Sequence, residues 1–137
     1  MAATVKLEIV TPESTAYTGE ADFVTLPGSE GELGVYANHV PLMTKLDAGE
    51  LIIRNGGKVE YYAVGKGFLQ VLGDRISILT DMAVNEAAID EARVEEAKQK
   101  AEARLQEKLS DEEAATVTAA LANAIAQLHV KRRRRGH

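Results

Sequence analysis

The sequence contains no cysteine and no tryptophan. Without cysteine there is no disulfide, no thiolate metal site and no cysteine nucleophile. Aromatic residues make up only 4% of the 137, so the core has to be built mainly from Val, Ile, Leu and Ala. No run approaches the roughly 20 consecutive apolar residues needed to span a bilayer. Met1, Ala2, Ala3, Thr4, Val5 and Lys6 lack both an apolar stretch with a cleavage site and an Arg- and Ser-rich amphipathic pattern. The expectation is a protein kept in the compartment where it is translated. What is present is ordinary for a soluble globular chain: 45% hydrophobic and 27% charged residues. The net charge of -5 opposes general nucleic-acid binding.

The first 85 residues alternate and turn. Val5-Lys6-Leu7-Glu8-Ile9-Val10 has a period of two and is stopped by Thr11-Pro12; Ala21-Asp22-Phe23-Val24-Thr25-Leu26 is stopped by Pro27-Gly28. Leu51-Ile52-Ile53-Arg54 and Lys58-Val59-Glu60-Tyr61-Tyr62-Ala63-Val64 flank Asn55-Gly56-Gly57. Asn-Gly is a hairpin signal because a type I′ turn needs positive φ at both centres. Phe68-Leu69-Gln70-Val71-Leu72 and Arg75-Ile76-Ser77-Ile78-Leu79 flank Gly73-Asp74, the composition of a type II′ turn. Short strands at this spacing predict an all-β sandwich or partly closed barrel over 1–85.

Near residue 85 the period changes. Between Glu86 and Leu109 there is no Gly or Pro, and Ala, Glu, Lys, Arg, Gln and Leu dominate, the strongest helix formers. The pattern predicts a helix capped by Asn85, with Ile89, Ala97, Ala101 and Leu105 on one face. Glu96 and Lys100 stand at i,i+4. Ser110-Asp111-Glu112-Glu113 reads as a capping box opening a second helix, whose stripe is Val117, Leu121, Ile125 and Leu128. The short turn predicts an antiparallel hairpin over 86–137. Ala stripes bury little area, and at about 25 cal/mol per Å² of apolar surface such a hairpin is marginal alone. It is expected to lean on another surface and to be able to detach from it.

Few constellations suggest chemistry. Glu30, Glu32 and His39 invite an acid/base reading, but no nucleophile or oxyanion site stands nearby, and an exposed turn or a binding loop is the simpler account. Gly28, Gly31 and Gly34 do not match a phosphate-binding fingerprint, and Gly65-Lys66-Gly67 lacks P-loop spacing. His39, His129 and His137 are scattered, with no metal-ligand spacing. No catalytic or metal site is expected. Asp90 and Arg93 form an i,i+3 pair at the head of the first helix. Lys131, Arg132, Arg133, Arg134 and Arg135 read as a solvated, frayed tail or as a site for an acidic protein loop, an acidic membrane surface or nucleic acid.

Residues 28–42 then resemble a known segment. Gly31-x-Leu33-Gly34-Val35, followed by His39-x-Pro41-Leu42, is similar to the G-x-L-G-[aliphatic]-x-x-x-H-x-P-L stretch of the ATP synthase epsilon subunit family. Gly65-Lys66-Gly67-Phe68-Leu69-Gln70-Val71 resembles that family's G-G-F-x-E-V strand, with Lys66 and Gln70 in place of Gly and Glu. Ile89-Asp90-Glu91-Ala92-Arg93 and Ala124-Ile125-Ala126-Gln127-Leu128 resemble the opening of the first helix and the close of the second in bacterial members.

The resemblance implies a sandwich of about ten strands followed by a helical hairpin. It implies a non-catalytic central-stalk subunit that couples c-ring rotation and proton transport to ATP synthesis. The implied partners are the gamma subunit, the c-subunit ring and, through the helices, the alpha/beta catalytic head, where the helices restrain ATP hydrolysis. The implied location is peripheral, on the cytoplasmic face of a bacterial inner membrane, or the stromal face of a plastid thylakoid. By position, Glu30, Glu32 and His39 fall to a loop region facing the c ring, and Lys131, Arg132, Arg133, Arg134 and Arg135 to an acidic loop of the beta subunit. No cofactor is required. Regulatory ATP is implied at Ile89, Asp90 and Arg93, which match the family's [IL]-D-x-x-R-A motif. Val94 departs from that motif, and Lys100, Asn123 and Gln127 stand at the later positions, so most of the phosphate-binding cations are missing.

Overall fold

Val5, Leu7 and Ile9 are buried while Lys6 and Glu8 face solvent, the inside–outside alternation of a strand with one face on a core. The computed structural model describes residues 3–135, except for the side chain of Arg135. Ten strands come first: β1 (Val5–Val10), β2 (Thr15–Ala21), β3 (Phe23–Gly28), β4 (Gly31–Tyr36), β5 (His39–Leu46), β6 (Gly49–Asn55), β7 (Lys58–Val64), β8 (Gly67–Gly73), β9 (Arg75–Thr80) and β10 (Ala83–Asn85). A 3₁₀ turn (Glu86–Ala88) and the helices α1 (Glu91–Arg104) and α2 (Asp111–Arg135) follow.

The strands run β10-β7-β6-β3-β5-β8-β9-β1-β2, with β4 paired to β3. On one edge β3 pairs with β4 along its whole length; on the other it meets β6 at Phe23, Val24 and Thr25, and β5 only at Gly28, opposite Leu46. That single corner joins two layers, β4-β3-β6-β7-β10 and β5-β8-β9-β1-β2. One apolar core, which includes Val5, Leu26, Leu51, Val64, Leu69 and Ile78, fills the space between them. The result is a ten-stranded sandwich carrying a helical hairpin.

The turns explain the registers. Asn55 pairs with Lys58, so the centres of the β6–β7 turn are Gly56 and Gly57, with φ of 58° and 88°. Both are positive, as a type I′ turn requires, but the turn sits one residue later than Asn55-Gly56. In the β8–β9 turn only Gly73 is positive, at 49°, the type II′ pattern. Where β5 shifts register between His39 and Leu42, Pro41 has no N–H to give the ladder.

The helical part differs from the sequence pattern in three places. Asn85 caps only the 3₁₀ turn, accepting from the Ala87 N–H at 2.9 Å. Ile89 then extends to bury itself beside Ala63 and Val130, and Asp90 caps α1 by accepting from the Arg93 N–H at 3.2 Å. Because α1 stops at Arg104, Leu105 is its cap and not part of its body. Ile125 is 48% exposed, whereas Leu128 of the same stripe is buried, together with Ala124, Ala126 and Val130 from outside it. Two faces of α2 are covered: it packs on α1 and also on β6 and β7. A single stripe at the Ile125 phase therefore misses the second contact. Glu96 and Lys100 pair at 3.1 Å on the solvent side.

The capping box forms as the residues require. The Glu113 N–H donates to Ser110 Oγ at 3.1 Å, and the Ser110 N–H donates to the Glu113 carboxylate at 3.2 Å. The backbone hydrogen bond from Ser110, more than its side chain, holds the Glu113 carboxyl below its ordinary value of 4.5. A lowered folded pKa means that this contribution is present above the ordinary carboxylate value and is lost as pH falls through the lowered one. Titration of Glu113 by NMR should therefore give a midpoint below 4.5, with the first turn of α2 losing amide protection over the same interval.

Close approach of α2 to the sheet rests on Gly65. A Cβ there would lie 2.7 Å from the Asn123 Oδ1 and would also collide with Asp81. Gly65→Ala should weaken docking of the hairpin by about 1–3 kcal/mol, the usual range for overpacking. Amide exchange in α2 should accelerate while the β core keeps its protection.

Candidate functional site

The outer surface of β5, β8 and β9 carries a group of exposed apolar side chains among polar ones. Phe68 lies across from Leu79 on β9 and from Lys45 on β5, and Met43 lies opposite Gln70. Met43 is 70% exposed, Phe68 56%, Leu79 57% and Leu72 49%. Isolated exposed apolar residues are normal, but several sharing one sheet face mark an interaction surface. The sequence held a signal for it: in Phe68-Leu69-Gln70-Val71-Leu72 both phases of the alternation carry apolar residues. The same doubling in Leu51-Ile52-Ile53 and Tyr61-Tyr62-Ala63-Val64 has another cause. There the inner phase faces the core and the outer phase faces the hairpin.

The β3–β4 turn carries Glu30 at its tip and Glu32 at the start of β4, both exposed. His39 is not with them. It opens β5 beside Gly73, whereas the other end of β5, at Leu46, is the one next to Gly28. The length of β4, roughly 20 Å for six extended residues, separates Glu30 from His39, which corrects the grouping of the three in one loop. The His39 ring Nδ1 lies 2.7 Å from the Val40 carbonyl, so this nitrogen is the one that donates. An acid/base trio has no geometric basis. Among the described residues there is no cluster of three or more His, Asp or Glu placed to hold a metal, and His137 lies outside them. Gly34, within the G-x-L-G stretch, underlies the Phe23 ring, which stacks on Tyr36 at a centroid distance of 4.3 Å.

The terminal cations are not a solvated tail. They continue α2, and Lys131, Arg132, Arg133 and Arg134 are each paired with a carboxylate of the chain. Lys131 reaches Glu86 at 3.5 Å. Arg132 joins α2 to α1 through Glu91 at 2.8 Å and Glu95 at 3.0 Å, and these contacts, the Glu91 hydrogen bond first, raise its pKa. Arg133 and Arg134 reach instead across to Glu50 on β6, at 2.7 and 3.1 Å. The Arg134 guanidinium also lies 3.8 Å from the centre of the Tyr61 ring. The side chain of Arg135 lies outside the described residues.

A cleft of about 540 Å³ opens between the sandwich and the hairpin, lined in part by Met82, Val84, Asp90, Arg93, Asn123 and Gln127. Ile89 does not line it, being 5% exposed and packed beneath against Ala63 and Val130. Asp90 is engaged as the cap of α1. Arg93 is the one cationic side chain among those lining the cleft.

These two parts match two family domains in chain order. Residues 4–86 match the ATP synthase delta/epsilon chain beta-sandwich domain, and residues 88–132 match the long alpha-helix domain of the same chain. The chain belongs to the ATP synthase delta/epsilon family. It is 45% identical over 128 residues to an ATP synthase epsilon chain of Laribacter hongkongensis, covering 92% of this chain and 91% of that one. To the epsilon chain of Ruminiclostridium cellulolyticum it is 42% identical over 133 residues, covering 97% and 99%. Within the delta/epsilon family it is thus of the bacterial epsilon type. Its fold is shared with a chain in a structure of the Euglena gracilis mitochondrial ATP synthase OSCP/F1/c-ring, with a TM-score of 0.74 at 23% identity, covering 98% of this chain and 82% of that chain. It is also shared with a chain in the Tetrahymena thermophila mitochondrial ATP synthase central stalk and c-ring, with a TM-score of 0.59 at 17% identity, covering 95% of each.

Proposed function

We propose that the chain is a non-catalytic central-stalk subunit of an F1Fo ATP synthase. It couples c-ring rotation, and with it proton transport, to ATP synthesis through gamma, and its helices regulate ATP hydrolysis. The observation that carries this reading is the exposed apolar group of Met43, Phe68, Leu72 and Leu79, in a chain that aligns almost end to end with bacterial epsilon chains. An exposed apolar group of this kind fits a permanent protein partner, and gamma is the partner assigned to it.

The acidic β3–β4 turn with Glu30 and Glu32 is assigned to the c ring, where the two carboxylates would meet polar or basic loop groups. His39, a strand length away, is left out of that contact. The basic end of α2 is assigned to an acidic loop of the beta subunit in the catalytic head. No helix of the described residues is long and apolar enough to cross a membrane. The chain is assigned a peripheral place, held through the complex on the cytoplasmic face of a bacterial inner membrane.

A second reading rests on the cleft beside α1. Asp90 and Arg93 lie on its wall, and regulatory ATP bound there would hold the hairpin against the sandwich. A single lining arginine makes weak retention of the phosphates the expected result.

Four measurements test these assignments. Phe68→Asp with Leu79→Asp should abolish co-purification with gamma without lowering the melting temperature of the sandwich, since apolar interface anchors typically contribute about 2 kcal/mol or more each. Undiminished co-purification would remove the assignment. Glu32→Lys should weaken assembly with the c ring, and ATPase assays with and without residues 86–137 should show faster hydrolysis in the shortened form. Isothermal titration of the full chain with ATP should give, at most, weak binding that Arg93→Ala abolishes.

A further inference from the structure

Asparagine followed by glycine is a chemically reactive pair, because glycine has no Cβ to shield its backbone nitrogen. Asn55-Gly56 is the only such step in the chain; Asn38, Asn85 and Asn123 are followed by His39, Glu86 and Ala124. Asn55, Gly56 and Gly57 are all exposed in the β6–β7 turn, and a Cβ at Gly56 would meet nothing within 4 Å. Bulk around the turn therefore gives that nitrogen no cover. A specific contact does hold it. The Gly56 N–H donates to Asp22 Oδ2 at 3.0 Å. Asp22 is itself fixed, its own N–H donating to the Arg54 carbonyl at 2.8 Å. From the junction of β2 and β3, Asp22 thus grips the backbone on both sides of Asn55. The residue between is also paired across the turn with Lys58.

We infer that Asn55 is a site of spontaneous covalent modification, conversion of its amide to an acid through a cyclic imide, and that Asp22 restrains it. The Gly56 nitrogen attacks the Asn55 Cγ. A new N–Cγ bond forms, the Cγ–Nδ2 bond breaks, and the Gly56 N–H proton leaves with the side-chain nitrogen as ammonia. Water then opens the imide at either carbonyl and leaves aspartate or isoaspartate, with no other reactant consumed. While the N–H is given to Asp22 and Arg54 is tied beside it, the nitrogen is held off the side chain. Ring closure waits for the turn to open. Both products place a new carboxylate beside the turn that Asp22 grips, and like charges repel. Isoaspartate also adds a carbon to the backbone, which puts the pairing of residue 55 with Lys58 out of step. The modified turn does not close again in its first form.

The test follows the amide-to-acid mass change at each asparagine by peptide mapping, with the full chain held at mildly alkaline pH. In the urea-unfolded chain Asn55 should convert well ahead of Asn38, Asn85 and Asn123, with ammonia and isoaspartate appearing together. In the folded chain its conversion should be slower by roughly tenfold or more, because local opening limits it. Asp22→Ala should raise the folded rate about tenfold, the factor carried by one hydrogen bond to a charged group. Asp22→Asn, which keeps an acceptor oxygen at the same reach, should keep most of the restraint. Amide protection in β1 reports whether each variant retains the sandwich. In the parent, urea below the unfolding transition should speed conversion in step with exchange of the Gly56 amide while β1 stays protected. Conversion of Asn55 no faster than that of the other asparagines in the unfolded chain overturns the site. Equal rates in the parent and in folded Asp22→Ala overturn the restraint, as does a parent rate that follows loss of protection in β1 alone.

Discussion

Helix α2 lies close to the outer face of β6 and β7, where the seam presents Ala63 on β7 and Gly65 just beyond the end of that strand. Gly65 is buried, and even a methyl group there would meet Asp81 and Asn123. Once the helix is that close, Val130 can sit against Ala63 and Ile89, and the last turn falls within reach of Glu50. The hydrophobic contribution of such a seam is limited by its small side chains, so the charged end of the helix acquires a structural weight that a Leu-rich interface would not leave to it.

Much of this architecture is legible in the residues. β1, β7, β8 and β9 announce themselves by alternation and by Gly-containing turns, and the capping box at Ser110 and Glu113 is visible as a spacing. Other elements are not. β2 and β4 carry Gly19, Gly31 and Gly34, which weaken a strand signal, although each pairs with the strand just before it. The α1 start misleads because Asn85 and Asp90 are both competent caps, and only the burial of Ile89 decides which one opens the α-helix.

The candidate sites were less legible for a geometric reason. Glu30, Glu32 and His39 are near one another in sequence but lie at the two ends of β4 and β5, because an extended segment carries its ends apart. In the opposite sense, Glu50 and Arg134 are separated by 84 residues, and no local pattern joins them. A run of five cations reads as one object in sequence. In the folded chain it splits by helical angle, Arg132 facing α1 and its next two neighbours facing the sheet.

The corner at Gly28 has a mechanical consequence. The two layers of the sandwich meet there through the Gly28–Leu46 pairing, reinforced by the Ser29 N–H to Lys45 carbonyl bond at 3.0 Å and the Asp47 N–H to Pro27 carbonyl bond at 2.9 Å. The acidic turn with Glu30 and Glu32 projects directly from this corner. A sideways load applied at the turn therefore enters both layers at once, along β3 and β4 into one and along β5 into the other. Shear between the layers is opposed at the point of loading, and the sandwich passes the force on as a stiff body.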